Sequence, residues 1–254
     1  MILILNEKEL LRKSLEEGYI DNDKTSNTIR ILAKYYFSID MSKKQVYDSI
    51  NKFFIVNYRK YNAVKWQKTF DRIIDKVCKD KDYNLLNINN IEITKAELDK
   101  IKKIDNIKFE KIAFVLLVYA KIYNQMNNKD SDWVNIDQKY IFSDAKIKES
   151  IYNQGIILHI FEELGLITPT KIVDHTNIKV NYIDKNSPIE LVISDFRNFV
   201  YEYLKWKGKN IINCEKCGIL FYSKNNSHKF CEICQKDNWR KYNAEKQREY
   251  RMRV

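Results

Sequence analysis

Glycine and proline are scarce in this chain of 254 residues, which has five glycines and two prolines. A β-sandwich or barrel needs a turn signal about every 8–12 residues, and so few turn-forming residues cannot supply them. With 44% hydrophobic and 13% aromatic residues the chain can still bury a core, so wholesale disorder is excluded. The composition therefore predicts a mainly α fold with a small β component.

Long apolar runs are also missing. The strongest, Ile112–Ala120, falls far short of the roughly 20 residues that span a bilayer. The opening apolar run, Ile2–Leu5, is too short for the core of a signal peptide. We therefore predict a cytoplasmic protein without membrane association. In a reducing compartment, closely spaced cysteines bind metal more often than they form disulfides.

Motifs typical of enzymes are absent as well. The three histidines lie apart, at positions 159, 175 and 228, and there is no Gly-rich phosphate loop, no H-E-x-x-H motif and no nucleophile elbow. We therefore expect no enzymatic activity. A catalytic constellation assembled only in the fold escapes this test, so a nuclease or a replication-enzyme component stays an alternative.

Positive charge is what the chain has in excess, with 45 basic and 34 acidic residues and a net charge of +11. Much of it is lysine, which AT-rich coding enriches together with isoleucine and asparagine, so the total alone does not identify a partner. Arginine is more informative, because four of the nine arginines fall in the last fifteen positions. From Tyr201 onward the chain carries +7, which favours nucleic-acid binding at this end.

The first part of the chain, residues 1–106, is predicted to be a helical N-terminal region. Apolar residues recur at helical spacing in the ranges 28–36, 42–54 and 64–78. The second and third of these helices could form a helix-turn-helix, although a helical hairpin with a solvated basic face explains their charge equally well. The polar segment Asp80–Asn90 is the best boundary candidate in this half. Thr94 and Glu97 then form a capping-box pattern that opens a short helix.

The middle, residues 107–194, is predicted to be winged-helix-like. The pattern indicates a helix over Phe109–Met126, a polar loop around Trp133, a short helix near 140–145 and a helix over 148–164 that ends at Gly165. Strands over 166–173 and 178–183 follow, joined by a turn at 174–177, and the run 189–193 could add a strand. The phrase Phe161–Ile167 resembles the end of the recognition helix and the first wing strand of MarR-type winged-helix regulators, which implies DNA binding.

The helix over 148–164 is the predicted recognition helix. We expect its core-facing side to be formed by Ile157, Ile160, Phe161 and Leu164, and the side chains exposed near its amino end to be Lys148, Ser150, Asn153 and Gln154. Recognition helices contact bases through such residues, with Asn and Gln suited to adenine and Lys suited to phosphate or guanine. The alternative is a winged helix that serves only packing or dimerisation, so a homodimer stays open.

Four of the five cysteines form two C-x2-C pairs, Cys214 with Cys217 and Cys231 with Cys234, with thirteen residues between the pairs. Two such pairs can complete a tetrahedral shell of four sulfurs, the closed structural form that zinc prefers. Gly218 gives the first pair the backbone freedom that a knuckle needs. We therefore predict one structural Zn²⁺ with no catalytic role, because a closed shell leaves no position for water.

Two residues stand outside this predicted metal shell. His228 could replace a cysteine as a ligand, but four thiolates already suffice, so we expect it in the outer shell or facing phosphate. Cys78, alone on a helix, is predicted to be a buried small hydrophobe. Four ordinary or purely redox-active cysteines are the alternative to the metal site.

The terminal segment 195–254 is predicted to contain a linker helix, the four-cysteine zinc ribbon and a basic tail. Trp239, Tyr242 and Tyr250 are interleaved with the tail cations, and such aromatic rings can stack on unpaired bases while arginine grips phosphate. A solvated terminal helix is the alternative. The candidate nucleic-acid-binding residues at this end are Lys229, Arg240, Lys241, Lys246, Arg248, Arg251 and Arg253.

The segments Cys214–Phe221 and Lys229–Cys234, followed by a basic helix, resemble the zinc-ribbon and CGNR-type zinc-finger tails of bacterial and phage-encoded DNA-binding proteins. The Gly-Asn-Arg that follows the last cysteine of the CGNR group is replaced here by 235–237, Gln-Lys-Asp, so only the plan of ribbon and basic helix carries over. The whole chain is similar to a family of uncharacterised proteins from low-GC Gram-positive bacteria and their phages.

These patterns together favour a DNA-binding protein, specifically a transcriptional regulator of bacterial or phage origin. Its winged helix would read the major groove, and its zinc-held tail would clamp phosphates. An RNA-binding zinc-ribbon protein is the nearest alternative, with DNA favoured over RNA. A protein-interaction module that acts on a host factor is the third.

Overall fold

The computed structural model describes residues 5–21, 25–170, 177–225 and 227–253, and the side chains of these ranges up to residue 248. This part of the chain contains ten helices and seven short strands, which confirms the predicted mainly α fold with a small β component. The helices are α1 Glu7–Glu17, α2 Thr25–Ser38, α3 Lys43–Asn57, α4 Ala63–Asp80, α5 Lys95–Lys102, α6 Ile107–Asn127, α7 Gln138–Asp144, α8 Ile151–Glu163, α9 Val200–Trp206 and α10 Glu232–Arg253. The strands are β1 Ile91–Thr94, β2 Trp133–Asn135, β3 Ile167–Pro169, β4 Asn177–Val180, β5 Ile189–Ile193, β6 Ile211–Asn213 and β7 Leu220–Tyr222.

The chain divides into two compact units, an N-terminal unit over Leu3–Asn89 and a C-terminal unit that contains Asn90–Val254. The division falls inside the polar segment 80–90. It does not coincide with the predicted domain boundaries at 106/107 and 194/195, because β1 and α5 pack with later elements of the C-terminal unit. The three-domain assignment itself stays a prediction.

The N-terminal unit is built from α1 to α4. Ser42 caps α3 in a capping box with Gln45, and Asn62 caps α4. Phe54 of α3 is fully buried against the rings of Tyr61 and Phe70, so aromatic contacts join the two helices. The sequence pattern did not predict α1, which begins at the Asn6 cap. The predicted burial of Cys78 is partial, because its side chain packs against the edge of this core.

The C-terminal unit is centred on α6, which is buried along most of its length from Ile112 to Ile122. β1 pairs antiparallel with β5, and α5 follows β1 directly through the Thr94–Glu97 capping box that the sequence indicated. Glu97 is fully buried and accepts hydrogen bonds from the amides of Thr94 and Asp184, and its carboxylate pairs with Lys121 at 2.8 Å. No helix in the described ranges is both long and apolar enough to cross a membrane.

The middle of this unit runs in the order α6, β2, α7, α8, β3 and β4. The three strands form one antiparallel sheet in the order β2-β4-β3, with Val134 of β2 opposite Ile178 of β4. The predicted loop around Trp133 is wrong, because Trp133–Asn135 pairs antiparallel with β4 and buries Val134. Most of the predicted turn at 174–177, and the end of the strand predicted over 166–173, lie outside the described residues. β5 pairs with β1 instead of joining this sheet.

Helix α9 connects the core of the C-terminal unit to the hairpin of β6 and β7, because it packs against α6 and against both strands. Glu110 of α6 is 1% exposed and accepts hydrogen bonds from the Tyr203 hydroxyl at 2.8 Å and the Lys207 ammonium at 2.5 Å. Burial, together with the adjacent Glu110 carboxylate, raises the pKa of Tyr203, so its hydroxyl stays protonated and donates. This buried ion pair ties α9 to α6.

Candidate metal centre and its basic helix

The two cysteine pairs come together in the fold. The ligand atoms of Cys214, Cys217, Cys231 and Cys234 all lie within 4.8 Å of one another, and the sulfurs of Cys217 and Cys231 are 3.7 Å apart. All five cysteines of the chain are free thiols. Four convergent thiols at this separation could hold a metal ion, as the spacing predicted.

The backbone around each pair explains the convergence. The first pair follows β6, where the Cys214 amide donates to the Ile219 carbonyl and the Gly218 amide donates back to the Cys214 carbonyl at 2.8 Å. Gly218 has φ +74°, the left-handed conformation that closes the knuckle and that a side chain would strain. The second pair lies at the start of α10, with Cys231 before the helix and Cys234 in its first turn.

The electrostatics of the cluster favour thiolate at one sulfur. Burial of Cys214 opposes ionisation, but hydrogen bonds from the backbone amides of Cys231, Cys217 and Lys216 outweigh it and lower its pKa to about 6. The Cys231 amide lies 3.3 Å from the Cys214 sulfur. Burial and the neighbouring thiols raise the pKa of Cys234 to about 12. A thiolate is the form of cysteine that binds a metal ion, so the backbone amides around Cys214 favour the ligand form of this residue.

The knuckle of the first pair is fastened to the segment before α9. The Arg197 guanidinium donates to the Cys217 carbonyl at 3.1 Å and is itself held by Asp195 at 2.7 Å. The Asn198 side chain donates to the Leu220 carbonyl on β7 at 3.1 Å. The ribbon formed by β6, β7 and the start of α10 is therefore anchored to the core of the C-terminal unit.

Helix α10 is held at its amino end by the same knuckle. The Lys216 ammonium, one residue before Cys217, contacts the Asp237 carboxylate at 2.5 Å and the Asn238 side chain at 3.0 Å. Lys229 pairs with Glu215 at 3.3 Å across the two pairs of cysteines. The direction in which α10 leaves the ribbon therefore depends on the metal-site loops.

Beyond this anchor, α10 is exposed along its described length. Arg240 and Arg248 are exposed and have no carboxylate partner among the described residues, whereas Lys241 lies 3.8 Å from Asp237. The predicted residues Lys229, Arg240, Lys241, Lys246 and Arg248 are thus all on the surface, and the side chains of Arg251 and Arg253 lie outside the described residues.

Two aromatic side chains of α10 are exposed on one face of the helix, Trp239 by 67% and Tyr242 by 57%. They are three residues apart, and the ammonium of Lys246 lies 5.8 Å from the Tyr242 ring centroid on the same face. Large exposed rings next to cations can stack on bases or cover an apolar partner.

The predicted recognition helix begins later than the sequence indicated. Ser150 is the N-cap of α8 and accepts a hydrogen bond from the Asn153 amide, so Lys148 precedes the helix. Lys148, Ser150 and Asn153 are exposed as predicted, and the Asn153 side chain donates to the Glu149 carboxylate at 2.9 Å. The three lie together at the amino end of α8.

Two predictions on this helix are wrong. Gln154 is 7% exposed, because it turns toward the preceding loop and its amide donates to the Glu149 carbonyl at 3.0 Å. Leu164 is 57% exposed, because it is the C-cap at which α8 ends. The sequence analysis also missed an apolar part of the exposed face of α8, formed by Ile151, Tyr152 and Ile156. Counting helical positions from the correct start of α8 would have placed these residues on the outside.

His228 lies beside the four-cysteine cluster without joining it. Its ring packs edge-on against Phe221 at 4.9 Å, and its Nδ1 accepts a hydrogen bond from the Lys224 amide at 3.3 Å. Within the described residues, the group of side chains that could bind a metal consists of the four cysteines. Neither a family model, nor a curated protein, nor a solved structure matches this chain.

Proposed function

We propose that this protein binds DNA as a transcriptional regulator, and that its four cysteines hold one structural zinc ion. The observation that carries the proposal is the exposed basic helix α10, which starts inside a four-thiol cluster and is fixed to it through Lys216. A small metal-held ribbon that aims a cationic helix has no evident catalytic use. It does suit the clamping of a polyanion.

The donor set supports zinc. Zinc–sulfur bonds of about 2.3 Å in a tetrahedron place neighbouring sulfurs roughly 3.8 Å apart, and the sulfurs of Cys217 and Cys231 are 3.7 Å apart. Four thiolates form the closed shell typical of structural sites, so the ion would stabilise the ribbon and would not activate a water molecule. The sulfur environment disfavours magnesium, calcium and manganese, which prefer oxygen ligands.

The fold order supports a winged helix in the middle of the chain. A winged-helix domain has three helices, with a strand after the first helix and a two-stranded wing after the third. The order α6, β2, α7, α8, β3 and β4 matches this plan, and the wing strands β3 and β4 complete a sheet of order β2-β4-β3. In it, α8 would enter the major groove with its amino end. Asn153 and Lys148 could contact adenine and phosphate there, and the exposed Ile151 could meet a thymine methyl group.

The basic helix would add contacts that do not depend on sequence. Arg240 and Arg248 are exposed and have no carboxylate partner among the described residues, so both can bind phosphate oxygens. Lys229 lies on the ribbon surface beside Glu215. Phosphate contacts position a protein on DNA, whereas base contacts specify the site. We therefore assign specificity to α8 and affinity to α10.

Selection from a random duplex library with the zinc-loaded full chain tests this division. We expect the wild-type protein to select a sequence motif. The variant with Arg240, Lys241, Lys246 and Arg248 changed to Gln should select the same motif with about 10- to 1,000-fold weaker affinity, since four phosphate contacts are lost. The matched control changes Asn153 to Ala, which should relax the motif at one position and keep the salt dependence.

Other outcomes of the selection would overturn the proposal. Tighter binding of single-stranded RNA than of any duplex would favour the RNA-binding alternative, which the exposed rings of Trp239 and Tyr242 support because they suit unpaired bases. Absence of nucleic-acid binding below micromolar concentration at low salt, with a host polypeptide that copurifies, would favour an interaction module. The exposed Ile151 and Tyr152 would then be the first surface to test.

A further inference from the structure

A second strongly cationic surface lies in the N-terminal unit, on helix α4. Its members are exposed and recur every three or four residues: Lys65, Lys68, Arg72, Lys76 and Lys79. This spacing places all five on one side of the helix, opposite the buried Phe70, Ile74 and Val77. We call these five residues the α4 stripe.

In the described part of the chain the cations of the α4 stripe form no ion pairs, although Asp71, Asp75 and Asp80 lie on the same helix and offset part of its charge. Within the described ranges, none of the five has a carboxylate within salt-bridge distance. Asp75 lies beside the stripe by helical register, but Lys43 of α3 already pairs with it at 2.5 Å. Ion pairs between residues three or four apart stabilise a helix, and like charges at the same spacing destabilise it. The five adjacent cations of the stripe therefore lower the stability of α4, which favours a role in binding an anion.

The middle of the stripe opens onto a cleft of about 760 Å³. Arg72 and Lys76 line it from α4, and Arg30 and Lys34 line it from α2. The buried Glu7 carboxylate holds Arg30 at 2.7 Å and Lys34 at 3.2 Å, which fixes these two cations in place. Asp80 and Asp82 also line the cleft and offset part of its positive charge, so the exposed surface of α4, and not the cleft, is the candidate binding surface.

The stripe has the dimensions of a nucleic-acid backbone. From Lys65 to Lys79 the helix rises about 21 Å, which is more than half a turn of a duplex, and each step between cations is about 4.5–6 Å. A protein partner would need an apolar centre to its interface. The stripe has none, because Val64 is the one large apolar residue of α4 that is exposed.

A membrane surface does not fit the stripe. Helices that lie in a bilayer interface insert the apolar face opposite their cations. In α4 that face is buried in the core of the N-terminal unit, where Phe70 and Ile74 are fully covered. The remaining polyanion with closely spaced charges is a nucleic acid.

We propose that the N-terminal unit binds the phosphate backbone of duplex DNA through the α4 stripe, as a site separate from α8 and α10. The inference rests on the proposed function for the identity of the partner. It adds a second contact surface that carries no sequence specificity, because phosphate contacts do not read bases.

Salt-dependent binding of the zinc-loaded full chain to a labelled duplex tests the α4 stripe. In the stripe variant Lys65, Lys68, Arg72 and Lys76 are changed to Gln. We expect about 10- to 100-fold weaker binding, and a log–log salt slope that is shallower by about 3.6, because each of the four lost phosphate contacts removes about 0.9 from the slope. Far-UV circular dichroism and thermal unfolding verify that the variant is folded.

The matched control changes Lys95, Lys100, Lys102 and Lys103 to Gln, which removes the same charge from exposed positions on and beside α5. The proposal requires a larger decrease of the salt slope in the stripe variant than in this control, and equal slopes in the two variants would overturn it.

The α10 variant described above separates the two sites. If the α10 variant weakens binding and the stripe variant does not, the proposed function is supported and the DNA contact of the α4 stripe is contradicted. If only the stripe variant weakens binding, the contact of the stripe is supported and the α10 interface is contradicted.

Discussion

If the four cysteines hold zinc as proposed, changing Cys214 and Cys217 to Ser is expected to abolish zinc binding and unfold the ribbon. Wild-type protein should contain about one zinc per chain, and the double variant close to none, because two ligands cannot hold the ion that four hold. Apart from the cysteines, the small cluster around the site has Phe221 as its buried apolar residue. Structural zinc contributes on the order of 10 kcal/mol to the folding of such segments. We therefore expect that the contacts of Arg197 and Asn198 with the ribbon cannot keep the cysteine loops folded without the ion.

Metal analysis and limited proteolysis are the measurements for this variant. We expect proteases to cut the double variant between residues 211 and 234 while the helical core resists. Cys78→Ser is the matched control, since this thiol lies in the N-terminal unit and should leave the zinc content at about one. Wild-type protein without metal, or a double variant with full zinc content, would contradict the assignment of the four cysteines.

Changing Lys207 to Met is expected to lower the free energy of unfolding by about 3–5 kcal/mol, because it leaves the Glu110 carboxylate buried with one partner fewer. Glu110 is 1% exposed, and after the change the Tyr203 hydroxyl would be the one side-chain donor left to it among the described residues. Methionine keeps most of the length of lysine, so the loss reports the charge more than the packing. Urea denaturation followed by far-UV circular dichroism measures it.

Two further variants separate the ion pair from general damage. Lys205→Met changes an exposed lysine on the same helix and should alter stability by less than about 0.5 kcal/mol. The double change of Glu110 to Gln with Lys207 to Met removes both charges, and it should recover part of the stability lost in the single variant. A Lys207 variant as stable as the Lys205 variant would show that the pair does not hold α9 to α6.

Local chemistry explains which elements the sequence predicted well. The two C-x2-C pairs impose a geometry that few other contexts require, so their convergence followed from spacing alone. Thr94 and Glu97 carry both halves of a capping box within four residues, and Ser42 marks the start of α3 in the same way. Each of these signals is complete within a short stretch of chain.

The features that were missed depend on contacts between distant residues. β1 and β5 pair although about a hundred residues separate them, and nothing in either short run identifies the other. Glu97 and Glu110 look like surface residues in the sequence, but each is buried against a lysine from another element. Such pairs become visible only when the tertiary fold brings the charges together.

The error on α8 has a simpler cause. A helix start placed at Lys148 instead of Ile151 ignored the Ser150 cap, so residues near the amino end were assigned to the wrong environment. Gln154 falls on the inner side, where the preceding loop supplies a carbonyl for its amide. Boundary errors of two or three residues are enough to exchange an exposed residue for a buried one on a helix with 3.6 residues per turn.

The affinity of the full chain for a labelled duplex, measured with zinc bound and again after chelation at the same salt concentration, tests the account most directly. We predict binding that weakens steeply with salt, and a loss of about 10- to 100-fold in affinity on removal of the metal, restored by one equivalent of zinc, because α10 is no longer held in position. Equal affinity with and without metal, or no binding to the duplex in either state, would contradict the account.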